Sequence, residues 1–162
     1  LIEGGNMHRV VMYRNGGERA RMLDPFTTEA PGGSINPRDL WAWMDTYEEV
    51  TRGDVLAIAH NGNLSNGIMF PEDAQYDGTA LDPEYAEIRA RWEPVYEATQ
   101  IKGDGETHPF LSPDDEFADY ETWDKGNLNL SELKTDDMLA GEYAREALKT
   151  GLRLEDRLGT NP

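Results

Sequence analysis

VLAIAHNGNLSNG, residues 55–67, is the stretch on which the fold turns. Val55 to Ala59 run without polar alternation into His60, and Asn61-Gly62-Asn63 follows at once. Asp54 to Ala59, with almost no polar alternation, predicts a strand buried on both faces of a parallel sheet. Asn and Gly tolerate left-handed backbone, so the turn after the strand can aim an imidazole, or several backbone amides, into a cleft beyond the strand's carboxyl end. The plainer reading of His60 is a hydrogen-bonded structural residue.

Outward from this stretch the pattern alternates. His8 to Arg14 (HRVVMYR) has the β-branched and aromatic content of a strand, turned by Asn15-Gly16-Gly17. Residues 24–36 (DPFTTEAPGGSIN) read as a surface loop that closes at Asn36, an N-cap with Pro37 in the first helical position. Leu40, Trp43, Met44, Tyr47 and Val50 then repeat at helical spacing as a core-facing stripe, and Gly53 supplies the stop. Asp82-Pro83 opens a second helix (PEYAEIRARWE), and Pro94 to Ile101 (PVYEATQI) returns as a strand. A last helix is expected after Thr135, with Leu139, Tyr143 and Ala147 on one face and Gly151 behind it. The order predicts an α/β fold with parallel strands and a site at their carboxyl ends.

Composition narrows the chemistry. At 162 residues and 38% hydrophobic the chain suits one domain, and no apolar run approaches the ~20 residues of a membrane span. It has no cysteine, which excludes disulfides, thiolate metal sites and a cysteine nucleophile, leaving His and carboxylates as ionisable ligands. A net charge of -17, from 32 acids against 15 bases, argues against nucleic acid as a partner. Most of these carboxylates read as a solvated surface. The same charge repels an anionic substrate unless bound cations reverse the local field.

Two further stretches carry candidate ligands. His8 stands where a Gly-rich loop enters a strand (GGNMHRVV), and GDGETH, residues 103–108, packs Asp104, Glu106 and His108 around glycines. Imidazole and carboxylate suit divalent zinc, manganese or iron, although Asp104 and Glu106 equally suit a plain turn. Lys102 is placed either to meet an anionic substrate or to balance neighbouring acids. There is no HExxH, and DGTALD lacks the calcium-loop pattern; Asn63-Leu64-Ser65 and Asn129-Leu130-Ser131 match the glycosylation sequon.

GGNMHRVVMYR, PGGSINPRDLWAW, VLAIAHNGNLSNGIMF and, above all, RWEPVYEATQIKGDGETHPFLSPDDEFADYE (residues 91–121) resemble the family known as domain of unknown function 3604, which belongs to the PHP (polymerase and histidinol phosphatase) superfamily. The resemblance runs in order over nearly all of the chain. It implies a distorted TIM-like (β/α) barrel of parallel strands ringed by helices, with two or three divalent ions (manganese, zinc or iron) at the carboxyl ends, hydrolysing small-molecule phosphate esters by metal-activated water. On that model His8 and His60 are metal ligands and Asn61 orients its neighbour, with Lys102, Asp104 and Glu106 as further candidates.

The family's His-x-His strand, Thr-Asp-His segment, metal-binding Glu and closing Asp-x-His pair are missing here, and Glu3 does not sit in the expected motif. The resemblance therefore implies a single domain, residues 1–162, that is a central segment of a longer enzyme. Such a segment is expected to be inactive and stable only beside the remaining parts of the parent chain. The competing readings are a metal-dependent sulfate-ester hydrolase, since a tetrahedral anion presents similar oxygens, and a noncatalytic acidic binding module with structural histidines.

Overall fold

The computed structural model describes residues 4–29 and 31–162; Glu3 lies outside them. Strand β1, Arg9–Tyr13, is followed by a short helix α1, Gly17–Ala20. Helix α2 spans Pro37–Thr51 and leads within a few residues into strand β2, Val55–Ala59. A 3-10 turn at Gly62–Leu64 and a long loop precede helix α3, Pro83–Trp92, and strand β3, Val95–Tyr96. Strands β4 (Thr99–Gln100) and β5 (Gly103–Asp104) form a hairpin, and helices α4 (Asp136–Leu139) and α5 (Ala144–Leu158) end the chain.

The caps explain why the long helices start where they do. The Asn36 side chain accepts from the Arg38 amide and the Asp82 side chain from the Tyr85 amide, each with proline in the first turn. Helix α2 ends at Arg52, which adopts the left-handed conformation (φ 55°). Its buried face is Leu40, Trp41, Met44, Tyr47 and Thr51, so Trp41 replaces part of the expected stripe and Val50 is exposed. The expected last helix is broken in two. Phe70 donates to the Gly141 carbonyl, and a Cβ on Gly141 would meet the Gly67 carbonyl, so tertiary contact interrupts the helical run between α4 and α5. Gly151 lies inside α5 and Gly159 is the cap.

The described residues do not form a TIM-like barrel of the PHP type, which corrects the expectation of a ring of parallel strands. They form a mixed sheet ordered β1-β2-β3 and the separate β4-β5 hairpin. β1 runs antiparallel to β2, with Arg9 opposite Ala59 and Tyr13 opposite Val55; only β2 and β3 are parallel. The segment between α1 and α2 is the reason. Arg19 bonds the carbonyls at the far end of α2, whereas Phe26 to Thr28 lie with Asn36 and Pro37 beside His8 and Arg9 at the other end of the sheet. The irregular segment therefore makes one pass along the sheet, α2 makes a second back, and the chain enters β2 antiparallel to β1. Between β2 and β3 the helix α3 is the crossover, and a parallel βαβ pair results.

Helices α2 and α3 cover one face of the sheet. Val55, Ala57 and Ala59 are buried there with Leu40, Trp41, Met44, Tyr47, Tyr85 and Trp92. The other face holds Val10, Met12, Leu56, Ile58 and Val95, and Val10, Met12 and Val95 are exposed. β2 is thus buried on one side only, against the expectation of burial on both.

Under the covered face sits one carboxylate. Glu93, just before β3, accepts from Arg9 Nε at 2.8 Å and Trp41 Nε1 at 2.9 Å and pairs with Arg89 at 3.4 Å. Burial alone pushes its pKa up, but the Arg9 and Arg89 guanidiniums outweigh burial and hold it below the usual carboxylate range. Glu93→Gln leaves two buried cations short of a partner and is expected to cost ~3–5 kcal/mol in urea unfolding at pH 7. Asp54→Asn, which breaks the exposed pair with Arg14, is expected to cost under ~1 kcal/mol in the same assay.

Candidate active site

The ladder carries its register one step past the strands. The His60 amide donates to the His8 carbonyl at 3.0 Å, which sets His8 directly opposite His60 on the sheet face away from the helices. On the parallel side, the register from Ala59–Tyr96 brings Glu97 next to His60. Glu97 Oε2 lies 2.8 Å from His60 Nδ1, and Glu97 Oε1 accepts the Asn61 amide at 2.6 Å. His8, His60 and Glu97 therefore form one row across three strands, with His60 and Glu97 beyond the carboxyl ends of β2 and β3.

The turn after β2 holds this row in place. Asn61 is left-handed (φ 56°), as its residue type allows, and Asn6, fully buried, donates from Nδ2 to the carbonyls of His60 and Asn61. A side chain on Gly62 would strike the Tyr96 hydroxyl and the Glu142 carbonyl, so only glycine fits there. Asn63 donates to the Lys102 carbonyl, and Lys134 Nζ donates to the Asn63 carbonyl at 2.6 Å and to Glu142 Oε2 at 2.5 Å. Burial pushes the Glu142 carboxyl up to about 7, with Lys134 offsetting part of that rise.

His60 uses Nδ1 on Glu97, which leaves Nε2 without a protein partner among the described residues. The His8 pKa is lowered from its ordinary value, first by desolvation of the ring. No hydrogen bond or ion pair engages the Lys102 ammonium among the described residues, which is notable in a chain with twice as many acids as bases.

The remaining candidates fall elsewhere. Asp104 Oδ2 accepts the amides of Glu106 and Thr107, closing its own turn. The Glu106 carboxylate is taken by Arg145. His108 is engaged at both nitrogens, by Asp124 and by the Phe110 amide. The Asn61 contribution to the row is its backbone amide; its Oδ1 is buried without a partner among the described residues. Asn63, 1% exposed, is closed to glycosylation, and Asn129 is exposed. Glu97 escaped the sequence reading because PVYEATQI looks like one strand; the chain bends between β3 and β4, where Glu97 turns to His60.

The donor chemistry fits a divalent ion in part. Two histidines stand opposite one another across the β1–β2 ladder, one of them oriented by a carboxylate on Nδ1, an arrangement common behind metal-bound histidine. Among the described residues no group of three or more His, Asp or Glu side chains is arranged to hold a metal ion. A cavity of about 520 Å³ lies between α3, β3 and α5; Ala59, Val95, Tyr96 and Ala98 are in its lining and neither histidine is. No helix among the described residues is long and apolar enough to cross a membrane.

A family model described as Protein of unknown function (DUF3604) matches residues 1–162. The chain belongs to that family. No curated protein and no solved structure matches it. For this DUF3604 chain the row His8–His60–Glu97 is therefore the best-founded guide to chemistry.

Two expectations follow. Lys102→Gln removes a cation whose charge contributes to the lowered His8 pKa and should move the His8 titration midpoint upward in an NMR pH series. For Glu142, the folded chain keeps a proton between its ordinary value of 4.5 and about 7 that the unfolded chain releases, so this residue's contribution falls as pH rises through that window. The stability difference between the native protein and Glu142→Gln should shift by about 3 kcal/mol, against the native protein, from pH 4.5 to 8 in urea unfolding.

Proposed function

We propose that this chain supplies part of the active site of a metal-dependent hydrolase acting on phosphate esters, in keeping with kinship to the PHP superfamily read from its sequence motifs. The observation that carries the reading is the cross-strand His8–His60 pair with Glu97 on Nδ1 of His60. His8 and His60 would hold a divalent ion, manganese, zinc or iron, and such an ion lowers the pKa of bound water and polarises the ester oxygen. The residues themselves do the positioning. Glu97 fixes the tautomer and rotation of His60, which leaves Nε2 for the ion, and partial desolvation lowers the His8 pKa and favours its neutral form. The Lys102 ammonium, which has no carboxylate partner among the described residues, draws a dianionic ester towards a protein that otherwise repels it. Asp104 and Glu106 have no part in this reading, because each is satisfied locally.

The test is hydrolysis of 4-nitrophenyl phosphate and of 4-nitrophenyl sulfate by the full-length protein in the presence of manganese or zinc. Phosphate turnover is expected, with His60→Ala reducing it more than ~100-fold and Glu97→Gln reducing metal affinity or turnover ~10–100-fold. Turnover unchanged by His60→Ala overturns the assignment. Preference for the sulfate ester moves the chemistry to the competing substrate class.

A further inference from the structure

The cavity of about 520 Å³ between α3, β3 and α5 has the size of a small-molecule site, for which ~300–1,000 Å³ is usual. Phe70, Ala90, Val95, Ala147, Leu148 and Leu154 give it an apolar wall, and the charged groups in its lining are Arg89 and Glu93. Glu93 is already engaged: Arg9 holds it through Nε at 2.8 Å and Nη2 at 3.5 Å, and Trp41 donates to it at 2.9 Å. Arg89, 5% exposed, meets that carboxylate only at 3.4 Å. Its closer bonds go to neutral acceptors, from Nη1 to the Tyr85 hydroxyl at 2.8 Å and from Nη2 to the Met69 carbonyl at 2.9 Å. Its Nε has no hydrogen-bond partner among the described residues. Two guanidiniums thus share one carboxylate, and the buried cluster keeps one positive charge. A buried cation short of a counter-ion is costly, and an anion that reaches it in charge-assisted hydrogen bonding offsets part of that cost.

We infer that this cavity binds a small monocarboxylate with an apolar tail, the carboxylate at Arg89 and the tail between β3 and α5. The single uncompensated charge matches a monoanion, and a planar guanidinium with a free Nε suits a carboxylate. The apolar wall suits an alkyl or aryl group, whereas a polyol gives up hydration there. A cationic ligand meets Arg89 as a like charge, and a dianion brings a second buried charge that finds no partner. The net charge of -17 does not defeat this attraction, because exposed charges are screened by water and salt and the Arg89 guanidinium is buried. The inference stands apart from the phosphoesterase reading, since neither histidine lines the cavity and the binding step involves no metal.

The experiment is calorimetric titration of the full-length protein, without added metal, with octanoate, 4-phenylbutyrate, 1-octanol and octylammonium. At least one of the two carboxylates is expected to bind ten-fold more tightly than octanol and octylammonium. Ala147→Phe fills the cavity from α5 and leaves the contacts of Arg9, Arg89 and Glu93 in place, and it is expected to weaken carboxylate binding at least ten-fold while the circular dichroism stays native. Arg89→Gln is expected to abolish the preference for the carboxylate over octanol. If that variant does not fold, the ligand ratios of the native protein and the Ala147→Phe result decide. Failure of both carboxylates to bind, octanol or octylammonium binding as tightly as they do, or carboxylate binding unmoved by Ala147→Phe overturns the inference, and the phosphoesterase reading is untouched by any of these results.

Discussion

The carboxylate of Glu93 is the point on which the sheet and its helices converge. It sits between the end of α3 and the start of β3, yet its partners come from β1 (Arg9), α2 (Trp41) and α3 (Arg89). Arg9 reaches it across the methyl-sized Ala59, its partner in the β1–β2 ladder, so the small residues of β2 make room for the bridge. A charge buried this deeply is tolerated only while every partner stays in place. The network thereby fixes the order β1-β2-β3 and aligns β3 beside β2, which in turn brings Glu97 to His60.

The candidate site is a consequence of that alignment. Antiparallel pairing sets His8 opposite His60, and parallel pairing sets Glu97 on the other side. Neither ladder by itself makes the row. Behind it, Asn6, Gly62 and the Lys134–Glu142 pair pack the turn so closely that the backbone of residues 60–63 has little freedom. That rigidity is what a site needs to hold two imidazoles in fixed relation. Asn61 takes the left-handed conformation that its residue type tolerates, and its Oδ1 is buried without a partner among the described residues.

Local signals in the sequence were read well where the physics is local. The caps at Asn36 and Asp82, the proline starts, the turn after β2 and the loop at residues 24–29 and 31–36 all appear as expected, because each depends on a few neighbouring residues. The expectation of parallel strands fails because the segment between α1 and α2 adds a pass along the sheet that no periodicity reports. Val50 and Trp41 exchanged roles because which edge of an amphipathic stripe is covered depends on the partner helix. Asp104 and Glu106 looked like ligands among glycines, but a turn amide and Arg145 claim them.

By itself the sequence determined the residue types available for chemistry, the helix starts, the left-handed turn behind His60 and membership of its family, since these rest on local propensity and on motif order. The tertiary structure alone decided strand direction, the one-sided burial of β2 and the His8–His60–Glu97 row. These depend on contacts between residues as many as 84 positions apart, as in the Arg9–Glu93 bridge, and no local pattern encodes such pairings.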